Sequence, residues 1–63
     1  MIVNGVETAR TAGTLAEFLA AAGYDISRVA VEKNGIIVPR GKFESEVLND
    51  NDKLEVVHFV GGG

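Results

Sequence analysis

Cysteine is absent from the chain, and histidine occurs only once, as His58. Without cysteine there can be no disulfide, no thiolate ligand for a metal and no nucleophilic thiol. A serine nucleophile needs a base and a third group that orients this base, and the serines here have no evident base partner. We therefore expect neither a catalytic triad nor a nucleophilic thiol, and we expect His58 to be a structural or interface side chain.

Basic charge and long apolar segments are also scarce. Six Lys and Arg residues stand against nine Asp and Glu residues, for a net charge of −3, and the basic residues form no cluster. Phosphate backbones are bound by clustered Lys and Arg, so we expect no nucleic-acid partner. The apolar runs are only a few residues long, which argues against a membrane span or an export signal. With the lack of cysteine, this pattern fits a cytoplasmic protein.

No metal site is predicted either. The acidic segment Asp50-Asn51-Asp52 has a superficial likeness to a calcium-binding loop. It lacks the glycine and the distal glutamate that such a loop needs at fixed spacings. A solvated turn is the better interpretation.

The composition is that of one small globular domain. Hydrophobic residues make up 46% of the 63 residues and charged residues 24%, a balance that favours a packed core over disorder. A domain of this size lies near the lower limit at which a single core is stable alone. Packing must therefore supply the stability.

Two Asn-Gly pairs predict two β-hairpins. Asn4-Gly5 and Asn34-Gly35 each lie between two short apolar segments, and Asn-Gly readily adopts the positive φ angles of a two-residue hairpin turn. The predicted strands are residues 1–3, 6–9, 29–32 and 36–38.

A single amphipathic helix is predicted between the hairpins. Thr14 and Glu17 have the spacing of a capping box, which marks a helix start. Gly23 marks its end. Four apolar residues fall at i, i+3, i+4 and i+7 and so share one face, namely Leu15, Phe18, Leu19 and Ala22.

The segment after the second hairpin predicts a short helical turn and then the last strand. Within residues 40–49, Phe43 and either Val47 or Leu48 are spaced for one turn beneath the sheet. Residues 49–52 form a turn cluster, and residues 53–60 alternate as a strand until Val56. Beyond Val56 both faces are apolar, which indicates either that a loop or the short turn covers these residues or that they form a docking surface for a partner.

This order of elements predicts an α+β protein with a β-grasp fold, in which a mixed four- to five-stranded sheet packs on one α-helix. The helix makes the crossover, so the first and last strands can lie parallel at the centre of the sheet. We expect residues 1–60 to form the domain. Residues 61–63, three glycines, are expected to form a flexible C-terminal tail that can enter a narrow cleft.

Several segments along the whole chain resemble the ThiS family, ubiquitin-like sulfur carriers of thiamin biosynthesis. They are Asn4-Gly5, Thr14-Leu15 with Leu19, Val29 to Gly35, Ile37-Val38-Pro39-Arg40, the Asp50 to Asp52 turn, and Val57 to the final Gly62-Gly63. One departure is Gly61, which makes the tail a triple glycine where many relatives carry a bulkier residue.

The resemblance implies a carrier that is a co-substrate of other enzymes. The carboxylate of Gly63 would be adenylated with ATP by an E1-like enzyme, ThiF, and then converted to a thiocarboxylate that donates sulfur to the thiazole synthase ThiG. A sulfur donor such as a cysteine desulfurase relay is implied as a further partner. ATP is used by the partner enzyme, and no bound cofactor is expected.

The resemblance also implies roles for the end of the chain. Gly61, Gly62 and Gly63 would thread into each partner's active site. The residues implied to dock at the entrance are Val57, His58, Phe59 and Val60.

Three alternatives remain open at the level of sequence. The small subunit of molybdopterin synthase uses the same terminal chemistry, although the shortness of the chain and Val38-Pro39-Arg40 favour the thiamin carrier. A ubiquitin-like protein modifier would instead be joined to lysines on its targets. An interaction module with a meaningless tail would work without Gly62 and Gly63.

Overall fold

Five strands form one mixed sheet over a single α-helix in the part of the chain that the structure describes. The structure is a computed structural model, and it describes residues 1–9 and 13–59. In chain order the strands are β1 (Ile2–Val3), β2 (Val6–Glu7), β3 (Val29–Lys33), β4 (Ile36–Val38) and β5 (Lys53–His58), and the helix is α1 (Leu15–Ala21). Two short 3₁₀ turns cover Ile26–Arg28 and Arg40–Lys42.

The last strand lies at the centre of the sheet. The strand order is β2-β1-β5-β3-β4. β5 runs parallel to β1, with Val3 beside Leu54, and antiparallel to β3, with Val31 opposite Val56. The β-grasp prediction, with parallel first and last strands at the centre, is confirmed.

Both Asn-Gly pairs form the predicted hairpin turns. Asn4 and Gly5 have φ angles of 50° and 81°, and Asn34 and Gly35 have 54° and 83°. Left-handed backbone at both central residues matches the twist of the strands that the turn connects. β1 and β2 pair through the first turn, and β3 and β4 through the second.

The capping box of α1 is present. The Glu17 amide donates to Thr14 Oγ1 at 3.2 Å, and the Thr14 amide donates to Glu17 Oε1 at 3.0 Å. The helix ends at Ala21, and Gly23 follows with φ of 85°. The prediction that Ala22 belongs to the buried face is wrong, because Ala22 caps the helix beyond its last packed turn and is exposed.

The core lies between α1, the inner face of the sheet and the segment that precedes β5. Its buried hydrophobic residues are Met1, Val3, Leu15, Phe18, Leu19, Val29, Val31, Val38, Phe43, Leu48, Leu54 and Val56. Before β5, Phe43 and Leu48 are buried while Val47 is 56% exposed, so Leu48 is the second anchor of this segment. The helical turn itself is shorter and earlier than predicted, at Arg40–Lys42.

A polar cluster ties the second hairpin to the turn before β5. Asp52 is only 7% exposed, and its carboxylate accepts hydrogen bonds from Asn34 Nδ2 at 2.9 Å and from the Asn49 amide at 2.7 Å. Lys33 Nζ lies 2.8 Å from Glu46 Oε2 and 3.7 Å from Asp52 Oδ2. Two hairpin residues are thereby bonded to a segment 13 to 19 positions further along the chain.

The same contacts set the charge states of two members of this cluster. Burial alone would raise the pKa of Asp52, but the hydrogen bonds from Asn34 and Asn49 and the charge of Lys33 outweigh it, so the pKa lies below 3.8. The hydrogen bond to Glu46 is the main cause that raises the pKa of Lys33 above 10.5, against the opposite effect of burial. Both groups are therefore held in their charged forms at neutral pH.

No helix within the described residues is long and apolar enough to cross a membrane.

Candidate docking site at the end of the last strand

The predicted docking residues are exposed wherever the structure describes them. Val57 is 57% exposed and Phe59 is 52% exposed, and His58 is also exposed. β5 ends at His58 rather than at the predicted Val60. Val60 and the three glycines Gly61, Gly62 and Gly63 lie outside the described residues, so their proposed roles stay predictions.

These residues do not form one continuous surface. Val57 pairs with Ala30, whereas His58 pairs with Val29, a buried core residue. Successive side chains of a strand point to opposite faces of the sheet. Val57 therefore lies on the outer face, away from α1, and His58 lies on the face that carries the helix.

Val57 belongs to an apolar surface that spans three strands. Ala30 and Ile37 lie beside it on the outer face, and we call these three residues the outer-face patch. The patch forms a shallow groove of about 100 Å³ that Glu32 and Glu55 also line. Ile37 is 70% exposed, so this apolar surface has no cover among the described residues.

Ala30 and Ile37 were missed by the sequence analysis, although the sequence contains a signal for them. In β3, the buried Val29 and Val31 place Ala30 on the opposite face by simple alternation. In β4, Ile36 and Ile37 are adjacent, so one sheet face cannot bury both. Ala30, Ile37 and Val57 come together only through the register between the strands, and this register is known only from the structure.

The end of β5 is fastened to the segment that leads into β3. The Phe59 amide donates to the Arg28 carbonyl at 2.7 Å, which adds one more bond beyond the last residue of the strand. Asp25 caps the 3₁₀ turn before β3 by accepting from the Ser27 amide at 3.0 Å and from Ser27 Oγ at 2.6 Å. These bonds from Ser27 hold the pKa of Asp25 below its usual value.

Arg40 contacts the same segment from the other side. Its guanidinium donates to the Ile26 carbonyl through Nε at 3.2 Å and to the Val29 carbonyl through Nη2 at 3.1 Å. Arg40 and Phe59 both line a depression of about 190 Å³ at this end of the sheet. The Phe59 amide is thus bonded to a segment that Arg40 contacts from the opposite side.

The described residues of this strand end offer an exposed apolar surface. His58 is the sole imidazole of the chain, and no group of three His, Asp or Glu side chains within residues 1–9 and 13–59 could hold a metal ion. An exposed apolar surface beside a firmly held strand end is suited to contact with another protein.

The sheet order and the single packed helix define a β-grasp domain of the ubiquitin-like type. A family model described as the ThiS family matches residues 2–63. The chain belongs to the ThiS family.

Individual relatives agree with this assignment. The chain is 36% identical to the sulfur carrier protein ThiS of Bacillus subtilis, over 97% of this chain and 96% of that protein. The crystal structure of the thiamine biosynthesis protein ThiS from Geobacter metallireducens superposes with a TM-score of 0.77 at 33% identity, covering 98% of this chain and 96% of the other.

Another relative is much longer than this chain. A thiazole synthase of Paramagnetospirillum magneticum is 42% identical over 64 residues, which cover 100% of this chain and 20% of that protein. The chain thus spans about a fifth of the length of this relative.

Proposed function

We propose that the chain is a sulfur carrier for the thiazole of thiamin, and that its reactive group is the carboxylate of Gly63. The observation that carries the proposal is the match to the ThiS family, which extends through the glycines to residue 63. The protein would be a co-substrate of enzymes rather than an enzyme, it would bind no cofactor itself, and it would act in the cytoplasm. The division into a domain of residues 1–60 and a tail of residues 61–63 belongs to the same proposal.

The chemistry requires that a carboxylate become an electrophile. An adenylyltransferase of the ThiF type would join the Gly63 carboxylate to AMP and release pyrophosphate from ATP. Sulfide would displace AMP and leave a thiocarboxylate directly. If a cysteine desulfurase relay supplies the sulfur as a protein persulfide, the outer sulfur would displace AMP to form an acyl disulfide, and a thiol reductant would then cleave its S–S bond to release the thiocarboxylate. The chain has no cysteine, so a carboxyl group is the natural place for it to carry sulfur.

The glycines and the exposed residues at the end of β5 would contact different parts of the partner. Gly61, Gly62 and Gly63 have no side chains, so they would fit a cleft too narrow for a branched residue. Val57, Phe59 and Val60, together with His58 from the face that carries the helix, would contact the partner near the entrance of that cleft. Apolar exposure of Val57 and Phe59 at the end of β5 supports this role.

A thiazole synthase of the ThiG type is the proposed acceptor of the sulfur. The support comes from the thiazole synthase of Paramagnetospirillum magneticum, which contains a region similar to the whole of this chain. A carrier and an acceptor that occur in one polypeptide have a high effective concentration for one another, as expected of proteins that act in sequence.

Intact mass spectrometry after incubation with ATP, a ThiF-type enzyme and a sulfur source tests the proposal. The full-length chain should gain the mass that corresponds to one sulfur in place of one oxygen. A chain that lacks Gly62 and Gly63 should gain nothing and should support no thiazole formation, with its thermal stability unchanged.

A matched control removes a different carboxylate. Glu44→Gln, at an exposed position of the segment before β5, should still gain the full mass. Sulfur transfer by the truncated chain would refute the proposal. Accumulation of lysine conjugates instead of free thiocarboxylate would replace it with a protein-modifier function.

A further inference from the structure

Arg40 is hydrogen-bonded to the short stretch of backbone that leads into β3. Arg40 is exposed, yet its guanidinium donates to two backbone carbonyls, those of Ile26 and Val29, at 3.2 and 3.1 Å. A planar guanidinium can satisfy two acceptors at once in a fixed geometry, which a lysine ammonium does less well. The side chain is therefore fixed in place.

The strand register explains why the Val29 carbonyl needs a side-chain donor. Val31 pairs with Val38, so Val29 would pair with residue 40 if the ladder continued by two positions. It does not continue, because the backbone enters the second 3₁₀ turn at Arg40. The Arg40 guanidinium supplies the hydrogen bond that its backbone cannot make.

The other side of the same stretch holds the end of β5. Successive carbonyls of a strand point to opposite sides. Arg28, which lies between the two residues that Arg40 contacts, accordingly turns its carbonyl toward β5 and accepts from the Phe59 amide at 2.7 Å. Residues 26–29 are bonded to Arg40 on one side and to Phe59 on the other.

We infer that Arg40 is a positioning residue for sulfur transfer, in that it fixes the point from which residues 60–63 extend toward a partner's active site. The inference rests on the proposed carrier function. A group transferred between proteins must reach its partner's reacting atoms in a narrow range of geometries. If residues 26–29 loosened, Phe59 would detach from the sheet and a longer segment would have to be ordered on each encounter, which weakens binding.

Hydrogen exchange and kinetics of three variants test this inference. Arg40→Gln should raise the exchange rate of the Phe59 amide by about tenfold or more, because opening at the strand end becomes easier, and should leave Leu54 and Val31 protected. With a ThiF-type enzyme, the KM for the carrier should rise about tenfold while kcat stays within about twofold. Arg40→Lys should lie between wild type and Arg40→Gln in both measurements.

Lys42→Gln is the matched control, because it removes the same charge from the same 3₁₀ turn without touching residues 26–29, and it should match wild type. An unchanged Phe59 exchange rate in Arg40→Gln, or an equal rise throughout the core, would overturn the inference. So would an effect of Lys42→Gln as large as that of Arg40→Gln. Failure of the carrier function itself would appear separately, as sulfur loading of the chain without Gly62 and Gly63. If Arg40→Gln does not fold, the exchange rate of the Phe59 amide in Arg40→Lys, compared with wild type, tests the inference instead.

Discussion

Asp52→Asn is expected to remove a large part of the stability of the domain while changing almost no volume. Asp52 is the buried charged residue of the described core, at 7% exposure. Its two carboxylate oxygens accept from two different donors, Asn34 Nδ2 and the Asn49 amide. Asparagine has only one acceptor oxygen, so one of these donors would face an amide nitrogen.

The magnitude follows from that mismatch. A buried donor without an acceptor costs about 1–3 kcal/mol, and the weaker attraction to Lys33, 3.7 Å away, adds to this, so we expect a loss of roughly 2–3 kcal/mol. A domain of this length has a free energy of unfolding of roughly 3–9 kcal/mol. The melting temperature should therefore fall by about 10–20 °C.

The effect should depend on pH in a defined direction. The folded state lowers the pKa of Asp52 below 3.8, so the carboxylate stabilises the fold above that pH, and this contribution is lost as pH falls through the folded pKa. Wild type and Asp52→Asn should then differ fully at pH 7. Their difference should shrink progressively below about pH 3.8, because protonated Asp52 has lost the same acceptor.

Urea unfolding followed by circular dichroism, at pH 7 and at steps down to pH 2.5, measures both quantities. Glu44→Gln serves as the control, since it neutralises an exposed carboxylate and should change the free energy of unfolding by less than about 0.5 kcal/mol. A loss below about 0.5 kcal/mol for Asp52→Asn, or a difference that persists unchanged at low pH, would refute the reasoning.

Two further predictions concern packing and the first turn. Phe18→Ala removes a helix residue that is 4% exposed in the core, and its cost of about 3–5 kcal/mol should leave the domain largely unfolded in thermal scans, whereas Ala20→Ser on the exposed face of the helix should not. Asn4→Gly keeps a residue suited to positive φ but removes two hydrogen bonds to Val56, so we expect a loss of about 1–2 kcal/mol in urea unfolding. Asn51→Gly, in an exposed turn, is its control, and an equal loss in both variants would contradict the role given to Asn4.

Local signals in the sequence were sufficient for the elements of the fold. The turn geometry of Asn-Gly, the capping box of Thr14 and Glu17, and the helical spacing of Leu15, Phe18 and Leu19 are each determined by residues a few positions apart. The structure agrees with all of them. Ala22 was misplaced because periodicity extends a stripe past the residue at which the backbone leaves the helix.

Long-range pairings could not be obtained in this way. Residues of the outer-face patch come from three strands, and only the register of β4 on β3 and of β3 on β5 brings them together. The split of Val57 and His58 onto opposite faces likewise depends on which residues at the C-terminal end of β5 point inward. Apolar composition predicted that this strand end is a surface for a partner, but it could not divide the residues between faces.

The two turn asparagines, Asn4 and Asn34, have a local role in the turn and a second role in long-range hydrogen bonds. Asn-Gly predicts a turn because asparagine tolerates positive φ, and aspartate or glycine would serve that purpose nearly as well. In the fold, Asn4 donates to the Val56 carbonyl and accepts from the Val56 amide, at 3.2 and 2.7 Å. Asn34 donates to Asp52 and accepts from the Lys53 amide, at 2.9 and 3.0 Å.

Of asparagine, aspartate and glycine, only asparagine carries a side chain that can both donate and accept. The first turn is bonded to Val56 in β5, and the second turn is bonded to Lys53 at the start of β5 and to Asp52 just before it. The central strand is therefore held by both turns as well as by its pairing with β1 and β3. In a domain this small, such bonds take the place of the larger core that a longer chain would bury. The strand that leads to the glycines is thus bonded to both neighbouring strands and to both hairpin turns, which suits the proposed role of a carrier that presents its chain end to other enzymes.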